Sequence, residues 1–246
     1  MLLLAHVSDL HLNGTERSVQ RVTTVMDHLR ALPRPVDALL VTGDIADHGA
    51  EDEYETAAQL LAGPFPVLTC PGNHDVRAAY RKTLLHEPAS DEPVNRLYHV
   101  NGTAILMCDS TIPDSDDGEL AEETLRFIVD SLDMLAADTP ALIAFHHPPV
   151  ALHHPLPDDS RLRNSSALAD LIADRPQVAA LIVGHAHTGA ASTFAGRPLL
   201  AGPGITWTLR MPWEGSDIID RAAPPGLAYH VLDDERRITT HYRVAL

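Results

Sequence analysis

Five short stretches carry residues whose types could do chemistry together: Asp9-Leu10-His11, Gly43-Asp44, Gly72-Asn73-His74-Asp75, His146-His147 and Gly184-His185-Ala186-His187. A turn needs only Gly, Asn or Asp to close, so an imidazole between Asn73 and Asp75 serves something other than the turn. Histidine is the commonest metal ligand and the usual proton shuttle, and the chain holds 15 of them in 246 residues. Imidazoles mixed with carboxylates suit Zn, Fe, Mn or Co better than Mg or Ca. Asp9 and His11 lie two apart, so on an extended chain both point to one side; His185 and His187 repeat the spacing. One carboxylate can bridge two ions, and Asp44, directly after a glycine, is the natural candidate. The set suits two divalent metal ions.

Each stretch follows directly on an apolar run: Leu2–Val7, Val36–Thr42, Pro66–Cys70, Ala141–Phe145 and Val178–Val183. These read as buried strands, with Thr103–Asp109 as another. Ligand sites in open α/β sheets gather outside the carboxyl ends of strands, so five strand ends are expected to converge on one crevice. Helical patterns run over Ser18–Leu32, Glu51–Leu61, Val76–Leu85, Glu119–Ala137 and from Asn164 or Ser165 to Ala173. Beyond Gly184, short β runs separated by Gly and Pro predict an antiparallel C-terminal part. No repeat or linker interrupts the chain. The pattern predicts one α/β domain over residues 1–246, its sheets covered by helices. Segment 207–225, with two Trp and several Pro, reads as a lid, a dimer contact or a plain surface loop.

The formal charge is −16, with 45% apolar residues. An acidic chain is a poor partner for a nucleic-acid polymer, which needs a basic face. It can still take a small phosphate substrate, because bound metals reverse the local field. Cys70 and Cys108 both close strands and read as buried, reduced thiols; two cysteines make no thiolate zinc site of the usual kind. The N-terminal apolar run is too short and too soon followed by His6 and Asp9 to be a signal peptide. No stretch approaches the ~18 apolar residues of a membrane span. A cytoplasmic protein is expected.

The ordered motifs "DLH", "GD", "GNHD", "HHPP" and "GHAH" resemble those of the calcineurin-like metallophosphoesterase family. The resemblance spans residues 9–187 by motif. "FHHPPV", "GHAHTG" and the closing β run look most like the class III cyclic nucleotide phosphodiesterases and bacterial glycerophosphodiesterases. The resemblance implies a four-layer α/β/β/α sandwich with mixed sheets and a dinuclear centre of Mn, Fe, Zn or Co. Carried over, Asp9, His11 and His187 hold the first metal, Asn73, His146 and His185 the second, and Asp44 bridges both. His74 would face the substrate phosphate, and Asp75 would position His74 or its loop. A hydroxide bridging the metals would attack the phosphodiester, with cyclic nucleotides and glycerophosphodiesters as the expected substrates. A phosphomonoesterase with the same metals and a non-catalytic scaffold are the alternatives. Purple acid phosphatases have a Tyr where this chain has Asp47, so no tyrosinate colour is expected. His153, otherwise solvated, and Arg77 are further candidates for substrate contact, and His147 reads equally as a substrate contact or as a hydrogen-bonding residue behind the ligands. A homodimer is expected, since relatives of this size often form one.

Overall fold

The computed structural model describes residues 1–246. In chain order its strands are β1 (Leu2–Val7), β2 (Ala38–Thr42), β3 (Val67–Cys70), β4 (Arg96–Val100), β5 (Thr103–Met107), β6 (Thr111–Ile112), β7 (Ser115–Gly118), β8 (Ala141–Ala144), β9 (Val178–Val183), β10 (Ala190–Phe194), β11 (Arg197–Ala201), β12 (Thr208–Leu209), β13 (Ile219–Asp220), β14 (Gly226–Leu232) and β15 (Ile238–Val244). Helices α1 (Glu16–Arg30), α2 (Glu51–Leu61), α3 (Arg77–Ala79), α4 (Glu122–Met134), α5 (Pro155–Asp159) and α6 (Ser165–Ala173) lie between them. One sheet has the order β15-β14-β1-β2-β3, the other β10-β11-β9-β8-β5-β4. The middle strands of each are parallel, and the edges contributed by β4, β10, β14 and β15 are antiparallel.

Alternation along the strands builds four layers, as expected. Leu2 and Leu4 of β1 face Ile105, Met107, Leu142 and Ile182 of the second sheet. Their neighbours Ala5 and Val7 turn the other way, onto Val22, Val25, Met26 and Leu29 of α1 and Tyr54 and Ala57 of α2. The second sheet does the same with Ile143, Leu181 and Val183 against Ile128 and Leu132 of α4 and Leu168 and Ile172 of α6. Because both faces of each sheet are covered, its strands read as unbroken apolar runs. No helix is long and apolar enough to cross a membrane.

Boundaries moved where caps were not read. Helix α1 starts two residues early because the Thr15 hydroxyl accepts the Ser18 N–H. The pattern over Val76–Leu85 becomes α3 and a wide π-turn over Tyr80–Leu84, with Tyr80 fully buried beside Tyr54. Asn164 does precede α6, but its amide is used on Leu120 rather than as a cap. Cys70 and Cys108 are free and buried. The segment expected as a lid or dimer contact forms the small hairpin β12–β13, with Trp213 exposed near its tip.

Candidate metal centre

The five loops after β1, β2, β3, β8 and β9 meet at one place between the two sheets. Their backbones are not extended there, contrary to the spacing argument. Asp9, His11, Asp44, His185 and His187 all have left-handed φ, between 43° and 64°. This is uncommon for residues other than glycine and usually marks a functional turn. Each Asp-x-His or His-x-His pair curls, with fully buried Leu10 or Ala186 between its members. The loops lock together: Asp9 N–H donates to the Gly43 carbonyl at 3.1 Å, and His11 N–H to the Asp44 carbonyl at 2.9 Å.

Four side chains form one group. His11 Nε2 lies 3.3 Å from His187 Nε2 and 3.5 Å from Asp44 Oδ2, while His187 Nε2 lies 3.4 Å from Asp9 Oδ1. A second group shares the same carboxylate. His146 Nε2 lies 3.4 Å from Asp44 Oδ2, 3.2 Å from His185 Nδ1 and 3.1 Å from Asn73 Oδ1. Ligands about 2.1 Å from one ion in a tetrahedron stand about 3.4 Å from each other, which is the spacing of both groups.

Hydrogen bonds behind the rings fix their tautomers. His146 Nδ1 is 2.6 Å from the Thr42 carbonyl and His187 Nδ1 is 3.3 Å from the Trp207 carbonyl. A carbonyl only accepts, so each Nδ1 carries the proton and each Nε2 presents a lone pair inward. His11 is set the same way by Asp47, whose Oδ1 is 2.8 Å from Nδ1. Two lone pairs 3.3 Å apart, beside an Asp9 carboxylate with both oxygens buried and unpartnered, require a positive charge between them. The residues therefore fit metal ions. Without a cation the same demand falls on protons. Burial pushes the Asp9 carboxyl up to about 6. Against its burial, His146 is pushed up to about 9 by Asp44 and Asp9.

Two glycines make the approach possible. A side chain at Gly72 would meet Asp44 Oδ1 at 2.3 Å, and one at Gly43, whose φ is +91°, would meet His146 Nδ1 at 2.5 Å. Asp75 is the clamp of its loop. Its buried carboxylate accepts from the Ile45, Ala46 and Gly72 amides and from the Tyr54 hydroxyl, at 2.9 to 3.2 Å. Burial, followed by the nearby Asp44 charge, pushes it up to about 6 against those amides. His74 sits over the centre. Its amide donates to Asp44 Oδ1 at 3.0 Å, its Nδ1 donates to the Asp47 carbonyl at 2.8 Å, and its half-exposed ring lines the cleft.

Three expected substrate contacts lie elsewhere. Arg77 turns away, its guanidinium held by Asp109 at 2.9 and 3.3 Å and by the Thr111 carbonyl. His153 is exposed outside the cleft, its amide tied to Asp158. His147 is fully buried, with Nδ1 2.8 Å from Ser110 Oγ and its ring against Gly118. Residues not foreseen line the cleft instead: Asp47, Asn13, Trp207, which stacks on His187 at 3.6 Å, and Arg221. Asp47 was open to notice three residues after Asp44; Trp207 and Arg221 fall in segment 207–225, which the sequence marked as a whole without marking these two residues.

Clusters of Asp and His able to hold metal ions stand at strand ends between two helix-covered sheets. The comparisons name the class more closely. The family model described as "Calcineurin-like phosphoesterase" matches residues 2–189, and the chain belongs to that family. A probable cyclic nucleotide phosphodiesterase of Rhodococcus erythropolis is 33% identical over 220 residues, covering 83% of this chain and 71% of that one. The 3',5'-cyclic adenosine monophosphate phosphodiesterase CpdA of Pseudomonas aeruginosa is 30% identical over 97% of this chain and 88% of its own. The glycerophosphodiester phosphodiesterase GpdQ of Enterobacter lignolyticus is 30% identical over 76% and 71%. A dimetal phosphatase from Danio rerio shares the fold, with a TM-score of 0.74 at 15% identity, covering 100% of this chain and 96% of that one.

Proposed function

We propose that the chain is a phosphodiesterase that works with two divalent cations on small phosphodiesters, either 3',5'-cyclic nucleotides or glycerophosphodiesters. The observation that carries this is the convergence of His11 and His146 on one oxygen of Asp44, at 3.5 and 3.4 Å. Asp9, His11 and His187 would hold one cation, Asn73, His146 and His185 the other, and Asp44 both. When bound, such a pair lowers the pKa of coordinated water and neutralises phosphate oxygens. His74 takes the proton work. With Nδ1 fixed on the Asp47 carbonyl, its Nε2 is free for the cleft, and as an imidazolium it donates to the leaving alkoxide. Asp75 holds the loop that presents Asn73 and His74. The names of the relatives, cyclic nucleotide and glycerophosphodiester phosphodiesterases, support diesters over monoesters.

The test is hydrolysis of bis(p-nitrophenyl) phosphate and p-nitrophenyl phosphate by metal-stripped protein, with Mn, Zn, Fe(II) or Co restored singly. Diester cleavage should appear only with metal and vanish in Asp44→Asn. Cleavage of the monoester alone, or no turnover with two metals bound, would overturn the reading.

A further inference from the structure

The cleft above the centre encloses about 460 Å³, and Arg221 is the sole lysine or arginine among its walls. The chain has 34 Asp and Glu against 18 Lys and Arg, so carboxylates are plentiful. Most of its arginines are engaged by them or by backbone carbonyls. The Arg221 guanidinium meets neither.

Arg221 is exposed at the rim of the cleft, and its backbone rather than its side chain is tied down. Arg17 of α1 donates to the Thr206 carbonyl at 3.3 Å and to the Arg221 carbonyl at 2.5 Å. Arg21, one helical turn on, donates to the carbonyls of Ile205 and Ala223 at 2.5 and 2.9 Å. Helix α1 thereby ties both feet of the β12–β13 hairpin at the rim of the cleft. The adjacent carboxylate, Asp220, is already occupied. One oxygen accepts from Arg210 at 2.7 Å, the other from the Ala222 and Ala223 amides at 2.9 and 3.0 Å. Asp116, on the β6–β7 hairpin, shares the cleft without pairing to Arg221.

The same hairpin brings Trp207 and Leu209 to the cleft, and α5 brings Leu156 and Pro157. The walls thus offer a flat apolar face and one free guanidinium, above a floor that deals with the reacting phosphate. A simple phosphodiester has a single negative charge, and the floor answers it. An arginine fork beyond the floor matches a further phosphate or carboxylate. Building on the phosphodiesterase reading above, we infer that Arg221 selects phosphodiesters bearing a second anionic group on one ester arm, a phosphorylated nucleoside being the class that fits face and cation together.

The experiment uses thymidine 5'-(p-nitrophenyl phosphate) with and without a 3'-phosphate, on metal-loaded wild type, Arg221→Gln and Arg221→Lys. Alongside it, calorimetry compares binding of thymidine 3',5'-bisphosphate with that of thymidine 5'-phosphate. Wild type should favour the 3'-phosphorylated ester and ligand by about tenfold, the worth of one charge-assisted contact. R221Q should abolish the preference, R221K should keep part of it, and added salt should shrink it. Equal handling of the two esters and ligands by wild type, or a preference that survives in R221Q, overturns the assignment. Bis(p-nitrophenyl) phosphate is run alongside: turnover of none of the three esters overturns the phosphodiesterase reading, and the binding ratio then still decides the arginine.

Discussion

Replacing Gly72 by alanine tests whether the centre depends on how closely β3's loop runs under Asp44. The new Cβ would lie 2.3 Å from Asp44 Oδ1, 2.5 Å from the Asp44 amide nitrogen and 2.9 Å from His146 Cε1. Ordinary contact is about 3.5 Å, so roughly 1 Å of displacement is required. None of the three neighbours is a loose end. The amide is backbone, the His146 ring is pinned by the Thr42 carbonyl, and Asp44 Oδ1 accepts the His74 amide. The displacement therefore lands on Asp44 and His146, one of which both ligand groups share. Overpacking should cost about 1–3 kcal/mol of stability. A 1 Å error at a reacting centre costs about 100-fold in rate, roughly 2.7 kcal/mol of barrier. The assays are chemical unfolding, metal stoichiometry after dialysis, and kcat/KM on bis(p-nitrophenyl) phosphate at saturating metal. Gly102→Ala is the control. Its φ is +77° with nothing within 4 Å, so it should lose about 1 kcal/mol through backbone strain and leave metal binding alone. If Gly72→Ala bound metal fully and turned over like wild type, the close approach would not be what sets Asp44.

Other expectations follow from the same geometry. His74→Ala should retain its metal, because His74 lies outside both ligand groups, yet lose about 10²–10⁴-fold in turnover; parallel loss of metal would remove its proton-transfer role. Asp47→Asn should weaken metal binding about 10–100-fold in direct titration, since Asp47 orients His11 and, through Asn13, its own carboxylate is held; unchanged affinity would show that the charge behind His11 is dispensable. His6 and His230 form a buried pair, with His6 Nδ1 3.0 Å from His230 Nε2. Burial lowers both, His230 to about 3. They stay neutral in the fold but protonate in the unfolded chain near 6.5, so stability falls as pH drops from about 6.5 toward 3. By pH 5 the loss through His230 is about 2 kcal/mol. Unfolding of metal-free wild type and His230→Gln at pH 7.5 and 5 should differ by that amount, and identical pH slopes would refute the account.

The residues that converge between the sheets were open to reading because each stands at the end of an apolar run, where an α/β sheet places its binding loops. The two faces of β1 and β9 were legible as burial but not as partners. Nothing local says that Leu4 meets the second sheet while Ala5 meets α1. Short, weakly patterned pieces escaped altogether: β4, whose residues are only partly buried, and the β6–β7 hairpin of two and four residues. Arg77 and His153 were misplaced for one reason. Proximity in sequence to a ligand does not fix direction, and each is governed by a distant carboxylate or a nearby turn. Arg221 and Trp207 reach the cleft only because Arg17 and Arg21, about 200 positions away, fasten their hairpin.

The left-handed residues show that Asp9 and His11 come together by a geometry other than the extended strand. On an extended chain, residues two apart are about 6.6 Å from each other along the strand. Asp9 and His11 instead bring Oδ1 and Nε2 to within 3.4 and 3.3 Å of the same atom, His187 Nε2. Only a curl between them allows this, and left-handed backbone costs about 1–2 kcal/mol for each such residue. That strain would relax if the loops were independent. They are not: the Asp9 and His11 amides hang on the carbonyls of Gly43 and Asp44, and Asp75 holds the Ile45 and Ala46 amides from the far side. Straightening any one loop breaks the hydrogen bonds of the next. The curl at β1, the bend at Gly43-Asp44 and the turn at Asn73-His74 thus stand or fall as one unit. Asp44, at its middle, is the carboxylate that faces both ligand groups.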